Sequence, residues 1–156
     1  MADRSPQAAM RLVFEYDGEG VRLVSQTPVT MVLTDTDPRQ NTPGIYVDSR
    51  NAENAPLARV RAPGALLESA EVFPQPGRSD ERIHRIDQPA AGAFSVVVPA
   101  PDAARNVAVV HIAHDVVRDF GVPAPAPVGI ASRAITANDG AQATETDIAA
   151  FPLRRS

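Results

Sequence analysis

Two histidines and a carboxylate lie within five residues, in the segment His111-Ile-Ala-His114-Asp115. Imidazole and carboxylate groups are ligands of zinc and of other transition metals, so these three residues are the metal-ligand candidates of the chain. Residues three apart share one face of a helix but lie on opposite faces of a β-strand. The β-branched run that begins at Val107 predicts a strand. We therefore expect that His111 and His114 do not share a metal.

Asp35 and Asp37 form a second pattern that could bind a metal. Alternating aspartates supply the first ligands of calcium loops, in which a glycine follows at the sixth position and a glutamate at the twelfth. Counted from Asp35, this chain has Gln40 and Tyr46 at those positions. Asp37 precedes a proline, and aspartate in that setting typically bonds to the backbone of its own loop. The sequence therefore predicts an Asx-type turn here.

The residue types needed for most covalent catalysis are missing from the chain. It has no cysteine, and all of its 15 lysine-plus-arginine residues are arginine, which excludes a thiolate metal site, a cysteine nucleophile and lysine chemistry. No G-x-S-x-G motif occurs either. Glu68 and Glu71 could act as paired carboxylates only if the fold set their separation. We expect no catalytic residue and no cofactor.

Composition and charge also restrict the partners. The 156 residues suit a single domain, and the net charge is −4. The arginines are scattered and aromatic residues make up only 4%, which argues against a nucleic-acid partner. The opening residues MADRSPQAAM lack the apolar stretch of a signal peptide, and no apolar run reaches the roughly 18 residues of a membrane span. We expect a cytoplasmic protein without a membrane partner; its Ala-, Arg- and Pro-rich composition is typical of GC-rich coding.

Alternation of apolar and polar residues predicts β-strands through most of the chain. In the first of them, Leu12, Phe14 and Tyr16 point to one face. The segment Asp17-Gly18-Glu19-Gly20 then predicts a hairpin, because Asp-Gly between alternating segments favours a tight turn. Pro28 follows the return strand and predicts a bend or a switch between sheets, since proline cannot donate to a central ladder.

Later segments predict further strands, one of them ambiguous. Residues 44–50 and 82–87 have strand character, and residues 58–62 are typical of an edge strand. The segment 66–73 fits either a short strand or one turn of helix. The β-branched residues of Ala93–Val98 and Asn106–Ala113 predict an antiparallel pair joined by a medium loop.

Eight or nine short strands without helices between them favour an all-β fold, an antiparallel β-sandwich that is immunoglobulin-like in the loose sense. A small β-barrel is the alternative. We divide the chain into a flexible leader (1–9), the sandwich domain (10–119), a Pro-rich and polar linker that we expect to be mobile (120–147), and an apolar C-terminal docking segment (148–156).

The C-terminal segment is the clearest indication of function. Ile148, Phe151 and Leu153 restore apolar character after a polar stretch, and we expect them to be buried against the chain's own sandwich or against a neighbouring subunit. They are the predicted partner-binding residues. The predicted function is a non-catalytic interaction or assembly module that binds a protein partner or its own subunits. The alternative is a small hydrolase or metal-dependent enzyme that uses His111, His114 and Asp115.

Overall fold

The computed structural model describes residues 5–62, 65–66, 69–72, 84–87, 91–114, 131–136 and 142–154. These residues form ten strands and no helix. The strands are β1 (Gln7–Asp17), β2 (Gly20–Met31), β3 (Gly44–Arg50), β4 (Pro56–Arg61), β5 (Ser69–Val72), β6 (His84–Asp87), β7 (Gly92–Pro99), β8 (Asn106–His114), β9 (Ala131–Thr136) and β10 (Gln142–Pro152).

The strands form two main antiparallel sheets, and these confirm the predicted sandwich. One sheet has three strands in the order β2-β1-β7, and the other has five in the order β4-β3-β8-β10-β9. The described strands do not close into a barrel, because no strand of one sheet forms a backbone ladder with a strand of the other. A separate antiparallel pair joins β5 to β6, so residues 69–72 of the ambiguous segment form a strand.

The main core lies between the two main sheets, and a second cluster, which includes Tyr46 and Ile112, lies on the other face of the five-stranded sheet. The three-stranded sheet contributes Leu12 and Phe14, whose side chains are fully buried as their alternation predicted. The five-stranded sheet contributes Val47, Val107 and Val109, which are also fully buried. Burying each such side chain stabilises the fold by roughly 1.5–3 kcal/mol. The period-two pattern of the sequence therefore identified the faces that meet.

The first hairpin forms as predicted, but the expected bend at Pro28 does not occur. Asp17 caps the turn by accepting hydrogen bonds from the backbone N–H groups of Glu19 (2.8 Å) and Gly20 (3.2 Å). β2 then continues through Pro28 to Met31. It can do so because β2 lies at the edge of its sheet, where a proline need not donate to a neighbour.

The predicted pairing of Ala93–Val98 with Asn106–Ala113 is wrong. β7 pairs with β1 in the three-stranded sheet, whereas β8 pairs with β3 and β10 in the five-stranded sheet. The connection between β7 and β8 therefore crosses the sandwich. The β propensity of a segment does not indicate which strand it pairs with. The two β-branched runs therefore could not show that β7 and β8 belong to different sheets.

Parts of the predicted leader and linker are also strands. β1 begins at Gln7, and Ala9 is buried. Residues 131–136 form β9, and residues 142–147 form the first half of β10. The polarity of residues 142–147 predicted a flexible segment. It forms a strand instead, and its charged side chains pair with residues elsewhere in the chain. The rest of the predicted linker, 120–130 and 137–141, lies outside the described residues.

Candidate functional site

The histidines occupy the strand that their sequence predicted. His111 is half-buried on β8, with Ile45 and Thr146 as its cross-strand partners. His114 ends the same strand three residues later, and Asp115 lies outside the described residues. Among the residues that the structure describes, no three His, Asp or Glu residues are placed to hold a metal ion.

The two aspartates of the predicted loop make local contacts, as an Asx-type turn requires. The Asp37 carboxylate accepts a hydrogen bond from the backbone N–H of Arg39 (2.9 Å) and pairs with its guanidinium (3.1 Å). These bonds from Arg39 lower the pKa of Asp37, first through the side chain and then through the backbone. Asp35 accepts from the side-chain amide of Gln40 and has a φ of 60°. As for the predicted carboxylate pair, Glu71 belongs to β5, and Glu68 lies outside the described residues.

A set of charged side chains that the sequence did not single out lies on the outer face of the five-stranded sheet. We call it the buried ion cluster; its members are Asp48, Arg50, Arg59, Glu145 and Asp147. Asp48, Arg50, Arg59 and Glu145 are buried and Asp147 is nearly so, although this face points away from the core between the sheets. Charged groups are normally buried only when they are paired with groups of opposite charge. The contacts of Arg59 and Arg50 show how the members of this cluster are paired.

Arg59 on β4 is the centre of the cluster. Its Nε and Nη2 bind the two carboxylate oxygens of Asp48, at 2.7 and 2.9 Å. Its Nη1 donates to Glu145 on β10 (3.0 Å) and to the carbonyl of Gln40 (2.8 Å). The guanidinium carbon lies 5.6 Å from the centre of the Tyr46 ring. One fully buried side chain therefore links β4, β3 and β10.

Arg50 makes a second link across the same sheet. Its two terminal nitrogens bind the carboxylate of Asp147 on β10 at 2.6 and 2.7 Å, and Nη2 also binds Asp48 at 3.1 Å. β8 runs between β3 and β10, and Ala108 and Val110 are its residues opposite Asp48 and Asp147. The long arginine side chain reaches across β8, where short apolar side chains leave room for it.

The charges of the cluster balance. Arg133 at its exposed rim pairs with Glu145 (2.8 Å), so three guanidinium groups face three carboxylates. Burial acts to lower the pKa of Arg59, but the bonds to Asp48 and then to Glu145 outweigh it and raise the pKa above its ordinary value. The pKa of Arg50 is raised in the same way, chiefly by Asp147. Each of these charged groups is bound to at least one group of opposite charge, and the bonds connect β10 to β3, β4 and β9.

The opposite combination, apolar and exposed, occurs on β2. Val24, Met31 and Val32 are exposed to 50%, 40% and 41%, and they are the large hydrophobic residues on the surface of the described part of the chain. We call these three residues the β2 surface. Val24 is the extra residue of a β-bulge, since Leu23 pairs with Phe14 while Ser25 pairs with Val13. The bulge leaves its side chain outside the regular alternation of the strand.

Two grooves flank β2. One lies between β2 and the end of β10, and the other lies at the start of β1. The residues that line the first groove are Leu23, Val24, Ser25, Gln26, Phe151, Pro152 and Arg154. Those that line the second are Ala8, Ala9, Met10, Pro28, Val29, Thr30 and Ala100. Both are open; the second is mostly apolar, whereas the first is lined by polar and apolar groups in about equal measure.

The predicted partner-binding residues are packed against the chain's own core. Ile148, Phe151 and Leu153 are half-buried beside the residues that fill the space between the sheets. The ring of Phe151 lies 5.9 Å from that of Phe14. Of the two arrangements that the sequence allowed for these residues, the structure shows the internal one. Phe151 also lines the groove beside Val24 and so forms part of the surface around β2.

The backbone on the free side of β2 is partly blocked. The N–H of Ala100 donates to the carbonyl of Ala8 (2.9 Å), so Ala8 and, two residues on, Met10 direct their backbone groups toward β7. Pro28 is the partner of Met10, and its backbone therefore points to the free edge. Because proline has no N–H, the middle of this edge lacks a donor for an added strand.

Comparisons with known protein families, with curated proteins and with solved structures find no match for this chain. Among the described residues there is also no helix long and apolar enough to cross a membrane. The chemistry and exposure of the chain's own residues are therefore what indicates its function.

Proposed function

We propose that this protein is a non-catalytic interaction or assembly module, which binds a protein partner or a second copy of itself through the β2 surface. The observation that carries the proposal is the concentration of exposed apolar side chains on one edge strand. Val24, Met31 and Val32 lie within nine residues of sequence. Large apolar side chains left exposed along one edge strand favour a contact surface.

We expect a partner to bind the side chains of the β2 surface rather than the backbone of β2. Pro28 removes a donor from the free edge of β2, which disfavours the addition of a complete strand. A partner instead packs on Val24 and Met31 and enters the flanking grooves. Phe151, from the predicted docking segment, contributes to one groove, while Ile148 and Leu153 pack against the core behind it.

Site-specific photo-crosslinking tests the proposal. A photoreactive residue at Val24 is compared with one at Glu53, an exposed position on the turn between β3 and β4. We expect a crosslinked species from position 24 alone, either in the purified protein or in an extract of the native source. Its mass distinguishes a second copy from another protein.

Specificity decides the result of this experiment. The substitutions Met31→Ser and Val32→Ser should abolish the crosslink from position 24, because they remove the apolar area without touching the core. Equal crosslinking at positions 24 and 53, or a crosslink at position 24 that survives both substitutions, would contradict the proposal.

A further inference from the structure

The end of the chain leaves the five-stranded sheet and binds to β2 of the other sheet. The Pro152 carbonyl accepts a hydrogen bond from the side-chain amide of Gln26 (3.0 Å), and the N–H of Arg154 donates to the amide oxygen of the same residue (3.0 Å). The N–H of Leu153 points the other way and donates to the carbonyl of Arg105 (2.7 Å). The segment Phe151–Arg154 is thus bonded on both sides.

This arrangement reproduces the hydrogen bonding of a β-ladder. In an extended segment, the carbonyl of one residue and the N–H of the second residue after it point to the same side, where a neighbouring strand satisfies both. The side-chain amide of glutamine carries the same donor and acceptor as a peptide group. Gln26 therefore takes the place of a neighbouring strand, and the groups that it binds are backbone groups of the segment.

Side-chain contacts add selectivity to this backbone recognition. The ring of Phe151 packs beside Phe14, and Leu153 packs against the core, two residues further on. Arg154 lies in the open groove next to Val24. The edge of the core beside β2 thus accepts an aromatic residue, a spacer and an aliphatic residue in extended conformation.

We propose that Gln26, Phe14 and Leu23 form an acceptor site for an extended peptide, and that the chain's own Phe151–Arg154 is the resident occupant. A peptide with the same aromatic-spacer-aliphatic chemistry binds there once the resident segment is removed. The inference deepens the proposed function, since it places a defined partner chemistry next to the β2 surface. A tethered segment acts at an effective concentration in the millimolar range, so the full-length chain is largely closed to competitors.

Peptide binding tests the acceptor site. A fluorescent peptide of residues 148–156 is titrated into the full-length protein and into a chain truncated after Ala150, and binding is followed by anisotropy. We expect the truncated chain to bind the peptide at least tenfold more tightly. In the truncated chain, Gln26→Ala should weaken binding about tenfold by removing two hydrogen bonds. The matched control Thr27→Ala, on the exposed side of β2, should leave the affinity unchanged.

A second variant replaces the truncated chain as the peptide-binding protein if the truncated chain does not fold. The full-length variant Phe151→Ser/Leu153→Ser keeps the chain length and the ladder of β10 but loses the side-chain contacts of the resident segment. It should bind the peptide at least tenfold more tightly than the unmodified chain. A peptide carrying Leu153→Asp should not bind to either acceptor.

The outcomes separate this inference from the proposed function. If a folded acceptor binds the peptide no better than the unmodified chain does, or binds it equally well with Gln26→Ala, the acceptor site is refuted. That result leaves crosslinking from Val24 unaffected. Conversely, peptide binding without any crosslink from position 24 supports the acceptor site and rejects the β2 surface as a contact region.

Discussion

The outer face of the five-stranded sheet and the β2 surface reverse the usual relation between polarity and exposure. On the first, charged side chains such as Arg59 and Asp48 are almost fully buried. On the second, Val24 and Met31 are exposed to 50% and 40%. Burial of charge is stabilising only when every member is paired, whereas exposure of apolar area contributes nothing to the fold. The difference is one of pairing: the buried charges are bound to one another, whereas the exposed side chains of the proposed contact surface are largely in solvent.

Breaking the buried ion cluster at its centre should have the largest effect. Arg59→Met leaves Asp48 and Glu145 without their main partner, and a broken buried pair typically costs about 3–5 kcal/mol. We expect a loss of that size in the free energy of unfolding, measured by chemical denaturation. The matched control is Arg133→Met, which removes an arginine that is 65% exposed and should cost less than about 1 kcal/mol. Equal losses for the two variants would contradict the assignment of Arg59 as the centre.

Exposed and core apolar residues should respond very differently to substitution. Val24→Ser, Met31→Ser and Val32→Ser should each change the free energy of unfolding by no more than about 0.5 kcal/mol, because these side chains are largely in solvent. Leu12→Ala, at a fully buried position, should cost about 2–5 kcal/mol. Thermal and chemical denaturation measure the change in the free energy of unfolding for both sets of variants. A large loss for the β2 variants would mean that their side chains support the fold.

A double-mutant cycle on Arg50 and Asp147 tests whether the cluster acts as pairs. Arg50→Met and Asp147→Leu should each destabilise the protein, since the first removes the arginine that binds Asp147 and the second removes one of the two carboxylates that bind Arg50. The double variant should be more stable than the sum of the single losses implies, by about 1–3 kcal/mol. Additive losses would show that the two bonds at 2.6 and 2.7 Å contribute no coupling.

The smallest expected effect is at Asp37, whose carboxylate is paired with Arg39 but exposed. Because the pKa of Asp37 is lowered in the folded state, its contribution to stability is present above the pKa of the unfolded chain. That contribution is lost as the pH falls through the lowered folded value. Carboxyl titration by NMR should show the lowered pKa in the parent protein and a higher one in Arg39→Ala. An unchanged titration in that variant would exclude Arg39 as the cause.

The strands themselves were largely predictable, because their signal is local. Leu12 and Phe14 alternate with polar residues, and both are fully buried in the structure. The Asp17–Gly20 turn was equally clear, since its residue types suit a tight hairpin. For the candidate sites the sequence was less informative. Phe151 was predicted as a docking residue, but nothing in the sequence relates its neighbour Pro152 to Gln26, more than a hundred positions earlier.

The sequence contains only a weak indication of the buried ion cluster. In β3 the residues Tyr46, Asp48 and Arg50 alternate with apolar or small ones, and Arg59 follows the same pattern in β4. Such a pattern normally indicates a face in contact with water. Recognising the cluster would have required knowing that acidic residues of β10 come to lie beside these arginines.

What the sequence determined by itself is the set of strands and, for β1 and β8, which side chains share a face, because a period of two is a property of the local backbone. The tertiary structure alone decided that β7 and β8 belong to different sheets and that the polar segment 142–147 is a strand. It also decided which side chains are buried. Asp48 alternates with apolar or small residues, as an exposed residue would, and it is nonetheless buried. The physical reason is that pairing between strands and neutralisation of buried charge depend on partners distant in sequence, such as Arg59 and Glu145.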